Sequence, residues 1–202
     1  WPDTNVLVTR FLCLEGVVEI TDYMPVDIDD EQQRERWLVR LVQMARGSMP
    51  LQLDCQPAFN YARDSHEVHI TENGVVFRTE DSALGLSSPI ELKESDGGAV
   101  SARFQLEEGE AVVFSLQLLS PDDDDCAPAL SFAAEEVLFK RTVDYWHRWL
   151  SRCTYSGRWR EIVYRSALAL KLMTYEPTGA IVAAPTCSLP EGIGGERNWD
   201  YR

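Results

Sequence analysis

The sequence predicts a mainly β fold with C-terminal helices, namely an antiparallel β-sandwich followed by two helices. Short segments rich in β-branched residues alternate apolar and polar positions from residue 4 to about 119, which is typical of half-buried strands. Turn-forming pairs separate these segments, and Asn73-Gly74 is the strongest hairpin signal among them. From about Ala133 the apolar residues recur with a helical period instead.

The predicted strands occupy a series of short segments. In chain order they are TNVLVTRFLC, VVEITDYM, RWLVRLVQMARG, MPLQLDCQ, HEVHITE, VVFRTE, ALGLSS, AVSARFQL and EAVVFSLQLL. RWLVRLVQMARG and MPLQLDCQ are expected to be two separate strands. In the second of them, alternate residues from Met49 to Cys55 are apolar and share one face, so this face is expected to lie in the core.

Two helices are predicted after the acidic loop SPDDDDCAP. The apolar stripe of the first comprises Leu138, Thr142, Tyr145, Trp146, Trp149 and Leu150. The second follows Ser156-Gly157, and its inner face is expected to carry Trp159, Ile162, Val163, Ser166, Leu170 and Met173. It is expected to end near Glu176, because a proline disfavours helical backbone in the residue before it.

The composition narrows the classes of partner. The formal net charge is -14, and such a surface repels phosphate backbones, so nucleic acid is not expected as a partner. A neutral substrate suits this charge better. No apolar run approaches the length of a membrane span, so no membrane association is expected.

The cysteines indicate a reducing compartment. Cys13, Cys55, Cys126, Cys153 and Cys187 are scattered without a CxxC pair, which favours free thiols over a disulfide framework or a zinc site. The expected location is therefore cytoplasmic, although the chain begins with Trp1 and secretion stays open.

No metal or cofactor is predicted. The run Asp122 to Asp125 lacks the ligand spacing of a calcium loop and is expected to be a solvated loop. His66 and His69 are three residues apart in a predicted strand and would face opposite sides, one exposed and one half-buried. His147 is expected on the surface of the first helix, and no nucleotide-binding or nucleophile motif occurs.

The segment GGERNWDYR (194–202) has the composition of a ligand site. Trp199 and Tyr201 offer flat apolar faces, while Arg197, Asn198 and Asp200 offer directional hydrogen bonds. Aromatic faces with polar groups at their rim suit a sugar, since the C–H face of a pyranose stacks and its hydroxyls need partners. A charged loop that closes the end of a helical domain fits the same composition.

The final segment TYEPTGAIVAAPTCSLPEGIGGERNWDYR closely resembles the bacterial and archaeal branch of glycoside hydrolase family 15, whose members include glucoamylases, glucodextranases and trehalases. PDTNVLVTRFL (2–12), VVEITDYMPV (17–26) and PAFNYAR (57–63) also resemble family segments. The last of these differs from the family run PRFDYGR at Ala58 and Asn60, among other positions. The resemblance covers essentially the whole chain.

The resemblance implies a domain order and a function. It implies an N-terminal β-sandwich over residues 1–132 whose first strands are missing, a helical linker over 133–156 and the truncated start of an (α/α)6 catalytic barrel over 157–202. The expected activity is that of the N-terminal part of an inverting glycosidase that releases glucose from α-glucosides. Trehalose and malto-oligosaccharides both stay open as substrates.

The resemblance also implies which residues touch the substrate. Tyr201 is expected to pack against the sugar at the site of cleavage, and Asp200, Trp199 and Arg197 are expected to line the pocket or support its loop. Both catalytic glutamates are implied downstream of Arg202, so no catalytic residue is assigned on this chain and the chain alone is expected to be inactive. The alternative is a non-catalytic β-sandwich that serves as a scaffold or a carbohydrate-binding module.

Overall fold

A computed structural model describes residues 1–26, 37–175, 177–182, Gly192 and Gly195. The strands are β1 (Leu7–Leu12), β2 (Gly16–Tyr23), β3 (Trp37–Cys55), β4 (Glu67–Ile70), β5 (Gly74–Arg78), β6 (Ala83–Ser87), β7 (Lys93–Ser95), β8 (Ala99–Glu107) and β9 (Ala111–Leu119). The helical segments are α1 (Phe59–Ala62), α2 (Phe132–Leu150) and α3 (Arg160–Leu172). The predicted order of strands followed by two C-terminal helices is confirmed.

The described chain forms two compact units. The first comprises Trp1 and Val6–Tyr145, and the second comprises Pro2–Asn5 and the described residues from Trp146 onward. Helix α2 begins in the first unit and ends in the second. No described helix is both long and apolar enough to cross a membrane.

The strands of the first unit pair antiparallel throughout the described residues. One sheet has the order β1-β2-β3-β9-β6-β5-β4, and a second has the order β3-β8-β7. The predicted hairpin between β4 and β5 is present, with the Thr71 amide donating to the Gly74 carbonyl at 2.9 Å. A Cβ on Gly74 would lie 2.0 Å from the Leu86 carbonyl oxygen of β6, so the close approach of β6 requires glycine here.

Strand β3 belongs to both sheets, and the expectation of two separate strands was wrong. Residues 39–47 pair with β2, whereas residues 48–55 pair with β8. The change of partner occurs beside Gly47, which has a φ of 74°. Since a glycine tolerates this backbone without steric cost, one continuous strand passes from the first sheet to the second.

The main core lies between the two sheets. Its buried side chains come from both sheets and from the loop before β7: Val18, Val42, Met44, Val75, Phe77, Leu86, Leu92, Val100, Ala102, Leu106 and Phe114. Met49, Leu51, Leu53 and Cys55 pack against them, as the alternation in MPLQLDCQ predicts. Burial of this apolar surface is the main stabilising contribution to the unit.

A second core forms beneath the first part of α2. Val6, Tyr23, Val39 and Val113 are buried there, and Leu138, Phe139 and Val143 of α2 pack against them. The predicted stripe of α2 is largely confirmed, since Thr142, Trp146 and Leu150 are buried. The helix therefore covers its apolar stripe by tertiary packing, which is the usual source of helix stability in proteins.

The predicted inner face of α3 was wrong in part. Ile162 and Leu170 are 61% and 52% exposed, whereas Leu168 is 0% exposed. The helix also ends at Leu172, before the expected stop near Glu176. Helical periodicity identifies an apolar stripe, but it does not say which element covers that stripe.

Candidate functional site

The four predicted substrate-binding residues, Arg197, Trp199, Asp200 and Tyr201, lie outside the described residues. Their roles therefore stay predictions. Within GGERNWDYR only Gly195 is described, and its amide donates to the carbonyl of Gly192 at 3.0 Å.

The chain reverses direction between α3 and this segment. Thr174 and Ile181 form an antiparallel bridge, and the Val182 amide donates to the Met173 carbonyl at 2.9 Å. Gly179 lies in the reversal with a φ of 72°, a conformation that glycine adopts without steric cost. The reversal therefore holds Ile181 and Val182 beside the end of α3.

A polar network ties α3 to the start of the chain within the second unit. Arg165 donates through Nη1 to the Thr4 carbonyl at 3.1 Å, and Asn5 donates through Nδ2 to the Leu168 carbonyl at 3.3 Å. Thr4 and Leu168 are both fully buried. Hydrogen bonds to buried carbonyls remove a desolvation cost, so this network fixes the position of the first residues along α3.

An open cavity of about 460 Å³ lies beside this network in the second unit. It is lined by Pro2, Asp3, Glu161, Ile162, Arg165, Ser166 and Leu168. The lining has one guanidinium and two carboxylates but no aromatic ring. Without a flat apolar face the cavity does not meet the requirement for stacking a sugar ring.

Two of the three histidines lie close to backbone carbonyl oxygens. His66 is half-buried and His69 is exposed, as predicted, and His66 Nε2 lies 2.8 Å from the Gly98 carbonyl oxygen. His147 is exposed and its Nε2 lies 3.2 Å from the Pro2 carbonyl oxygen. None of the described His, Cys, Asp and Glu side chains form a group of three that could hold a metal ion.

The acidic loop is exposed, as predicted, but it is tied to the β4–β5 hairpin. Asn73 donates through Nδ2 to Asp125 Oδ2 at 2.8 Å. Arg78 of β5 donates to the Asp123 carbonyl and, at 3.4 Å, to Asp124 Oδ1. These contacts compensate part of the local negative charge and explain how a run of four aspartates is held against the sheet.

The outward face of the second sheet carries no aromatic side chain among the paired residues of β3 and β8. Opposite pairs on this face are Ser48 with Glu107, Pro50 with Gln105, Gln52 with Arg103 and Asp54 with Ser101. Their side chains bond one another, for example Arg103 Nε to Gln52 Oε1 at 3.1 Å. The face therefore lacks the stacking platform that a carbohydrate-binding sheet needs.

Sequence reasoning missed a buried pair in the first unit. The Tyr23 hydroxyl donates to Glu135 Oε1 at 3.0 Å, and these side chains are 2% and 1% exposed. A signal was present, because Glu135 continues the stripe of Leu138 and Thr142 at helical spacing. An acidic residue at such a position needs a hydrogen-bond partner.

Comparison with known proteins identifies the relatives of this chain. A family profile described as Glycosyl hydrolases family 15 matches residues 157–202. A trehalase of Thermoplasma acidophilum is 39% identical over 98% of this chain and 33% of its own length. A trehalase of Thermoplasma volcanium is 35% identical over 98% of this chain and 31% of its own length.

A trehalase from the bacterium Mycolicibacterium smegmatis is 36% identical over 88% of this chain and 26% of its own length. The chain thus spans about one third of the length of the first curated relatives it matches. The matches include the β-rich first unit as well as the helices, and the family profile covers α3 and the predicted site segment. The chain belongs to glycosyl hydrolase family 15 and corresponds to the N-terminal part of the trehalases that it matches.

Proposed function

We propose that this chain is the N-terminal part of a glycosidase that hydrolyses α,α-trehalose to glucose. The observation that carries the proposal is the match to trehalases over 98% of the chain. The site segment GGERNWDYR supports it, since aromatic and polar side chains alternate there in the manner of a sugar site. Malto-oligosaccharides are the second candidate substrate class.

The proposed reaction inverts the anomeric configuration. One carboxylic acid protonates the glycosidic oxygen while a second carboxylate takes a proton from a water that attacks the anomeric carbon from the opposite face. Both groups are proposed to be glutamates beyond this chain. Tyr201 would pack against the sugar at the cleavage site, with Asp200, Trp199 and Arg197 around it.

The described residues would support this site without touching the substrate. The Arg165 and Asn5 hydrogen bonds fix α3 within the second unit, and the Thr174–Ile181 bridge follows α3 and precedes the site segment in the sequence. Proper placement of substrate contacts is worth large factors in rate. We therefore propose that residues 157–202 are the start of the (α/α)6 catalytic domain, that residues 133–156 are a helical linker and that the β-rich residues before them are a scaffold.

The alternative, a carbohydrate-binding module, has less support. The outward face of the second sheet is polar and lacks aromatic rings among the paired residues of β3 and β8. Calorimetric titration of residues 1–156 with trehalose and with maltotriose distinguishes the alternatives, provided that circular dichroism shows folded protein. No heat of binding is expected, and saturable heat would favour the binding module.

The experiment that tests the proposed activity compares both sugars on the full polypeptide that contains this chain. Trehalose is expected to be the better substrate, and early products should contain equal amounts of α- and β-glucose, since only one of the two anomeric carbons is attacked. Replacing Tyr201 with Ala should lower kcat/KM for trehalose by a factor of about 10–1,000 if the ring contacts the reacting sugar. Release of α-glucose alone would contradict inversion.

The same variant has a matched control. Tyr175 is 53% exposed and lies before the site segment, so Tyr175→Ala should leave kcat/KM within about twofold. Equal loss in both variants would instead indicate a general effect on folding.

We also propose a cytoplasmic location, supported by the free thiols of Cys13, Cys55, Cys126 and Cys153.

A further inference from the structure

We propose that Asn73, in the turn between β4 and β5, is a site of spontaneous deamidation whose product releases the acidic loop (120–128) from this hairpin. Asn73 is the asparagine of the sequence that a glycine follows, whereas Asn5, Asn60 and Asn198 precede Val, Tyr and Trp. A glycine has no Cβ to hinder the approach of its backbone nitrogen. The Asn73–Gly74 pair therefore combines a reactive side chain with an accessible nucleophile.

The reaction takes place within the chain and consumes only water. The backbone nitrogen of Gly74 attacks Cγ of Asn73 and loses its proton, while the side-chain nitrogen takes up a proton and leaves as ammonia. A cyclic imide then joins the two residues. Water opens this ring at either carbonyl, which gives aspartate or isoaspartate at position 73. The net change converts an amide and water into a carboxylic acid and ammonia, with no oxidation or reduction.

The ladder between β5 and β6 does not engage the attacking nitrogen. The Ser88 amide donates to the Asn73 carbonyl at 3.0 Å, and hydrogen-bonded pairs alternate along an antiparallel ladder. The next pair is Gly74 with Ser87, which is therefore a pair without hydrogen bonds to each other. The backbone nitrogen of Gly74 thus does not donate to β6, and this ladder does not hold it back from the attack.

The Asn73 side chain is a donor that holds the acidic loop on the hairpin. Its Nδ2 donates to Asp125 Oδ2 at 2.8 Å. After deamidation, two carboxylates would face each other at this contact, because an ionised aspartate has no hydrogen to donate. The run Asp122 to Asp125 already carries four negative charges, so a further carboxylate adds repulsion where a hydrogen bond existed.

Asp125 connects this contact to a buried thiol. Its other carboxylate oxygen, Oδ1, accepts from the Cys126 amide at 2.8 Å, so one side chain joins the hairpin to the loop backbone. The Cys126 residue is 3% exposed and packs on β6, where a Cβ on Gly85 would lie 2.7 Å from the Cys126 Cβ. Burial raises the pKa of the Cys126 thiol, and the thiolate is the reactive form. Cys126 is therefore unreactive while the loop stays in place.

Other contacts of the acidic loop do not involve Asn73. The Ser87 hydroxyl donates to the Ala127 carbonyl at 2.6 Å, and Arg78 donates to the Asp123 carbonyl. Deamidation leaves both contacts chemically intact, so the expected effect is local opening around Asp125 rather than unfolding of the whole unit. Exposure of the Cys126 thiol is the signal that such an opening would give.

Prolonged incubation of the folded full polypeptide that contains this chain tests the modification itself. Peptide mass spectrometry should find aspartate and isoaspartate first at position 73. Asn5 and Asn60 are internal controls in the same sample, because larger residues follow them. No conversion at position 73, or equal conversion at all three positions, would overturn the proposed site.

Asn73→Asp supplies the product without the reaction and tests the release of the loop. In the full polypeptide, a thiol reagent should label Cys126 about tenfold faster or more in this variant than in the parent, since a hydrogen bond to a charged group is lost.

Two further variants control this measurement. Asn60→Asp is matched, because Asn60 also donates through Nδ2 to an aspartate, Asp64, at 3.1 Å, and it should leave the labelling of Cys126 unchanged. Adding Asp125→Asn to Asn73→Asp restores a donor and an acceptor with their roles exchanged, and should return the labelling rate to within about twofold of the parent. Unchanged labelling in Asn73→Asp, or no recovery in the double variant, would refute the release of the loop.

Discussion

The Tyr23 hydroxyl donates a 3.0 Å hydrogen bond to Glu135 Oε1, joining the end of β2 to the first turn of α2 inside the first unit. Both side chains are buried, and the Tyr23 ring meets Phe139 edge to face at a centroid distance of 5.8 Å. The pair satisfies a carboxyl group that would otherwise be costly in this apolar core. It is therefore a specific determinant of how α2 packs on the strands.

Removing the hydroxyl should destabilise the first unit. Tyr23→Phe keeps the ring but leaves Glu135 without this donor, and an unsatisfied buried polar group costs about 1–3 kcal/mol of unfolding free energy. Urea denaturation measures the change. Tyr175→Phe, at a residue that is 53% exposed, is the control and should change the free energy by less than about 0.5 kcal/mol. Equal stability of Tyr23→Phe and the parent protein would contradict this role.

The pH dependence of stability should reveal the buried carboxyl. Burial raises the pKa of Glu135 above its ordinary value of 4.5, and the nearby Glu136 charge raises it further, against the opposing hydrogen bond from Tyr23. A raised folded-state pKa means that this contribution is fully present below 4.5 and is lost as pH rises through the folded value.

Glu135→Gln isolates this effect, because the amide accepts the same hydrogen bond without ionising. The stability of the parent relative to this variant should fall as pH rises above 4.5, and should become constant above the folded pKa. Denaturation curves at several pH values measure the difference between the two proteins. A pH-independent difference would show that the carboxyl titrates alike in the folded and unfolded states.

The turn at α1 is strained and should be improved by glycine. Asn60, Tyr61 and Ala62 have φ values of 47°, 60° and 61°, and this left-handed region is unfavourable for residues with a Cβ. Ala62→Gly should stabilise the protein by about 1 kcal/mol. Ala58→Gly is the control, since Ala58 has a φ of -119° and gains nothing from glycine. A loss of stability in Ala62→Gly would argue against the left-handed turn.

Substitutions at two leucines of α3 should change the stability of the protein by very different amounts. Leu168 is fully buried, and Leu168→Ala should cost about 2–5 kcal/mol through lost burial and a cavity. Leu170 is 52% exposed, and Leu170→Lys should change stability by less than about 0.5 kcal/mol while reducing aggregation measured by light scattering. If Leu170→Lys were the more damaging variant, the assigned face of α3 would be wrong.

The local patterns of the sequence were enough to predict the described strands other than β7, the β4–β5 hairpin and α2, but they predicted neither β7 nor the turn at α1. They did not predict that β3 is continuous, because its change of partner beside Gly47 depends on the distant strands β2 and β8. They also assigned Ile162 and Leu170 to the inner face of α3, although both are exposed. Periodicity records which residues are apolar, and tertiary contacts decide which of them are covered.

The candidate site was predicted from residue composition and from the family resemblance, not from strand or helix periodicity. The composition of GGERNWDYR suggested a sugar site but fitted a structural loop equally well, and the family resemblance, now confirmed by the profile match at 157–202, favoured the sugar site. Tyr201, Asp200, Trp199 and Arg197 remain predictions because they lie outside the described residues. The Tyr23–Glu135 pair was missed because its two residues are 112 positions apart in the sequence. The one local signal was the acidic Glu135 in the apolar stripe of α2.

Glucose release from trehalose is the most direct test of the proposed function. The full polypeptide that contains this chain would be assayed with trehalose and with maltotriose, and residues 1–202 alone would be assayed beside it. The account predicts that the full polypeptide hydrolyses trehalose with the higher kcat/KM and that residues 1–202 alone release no glucose above the blank. Absence of trehalose hydrolysis by a folded full polypeptide, or turnover by residues 1–202 alone, would contradict it.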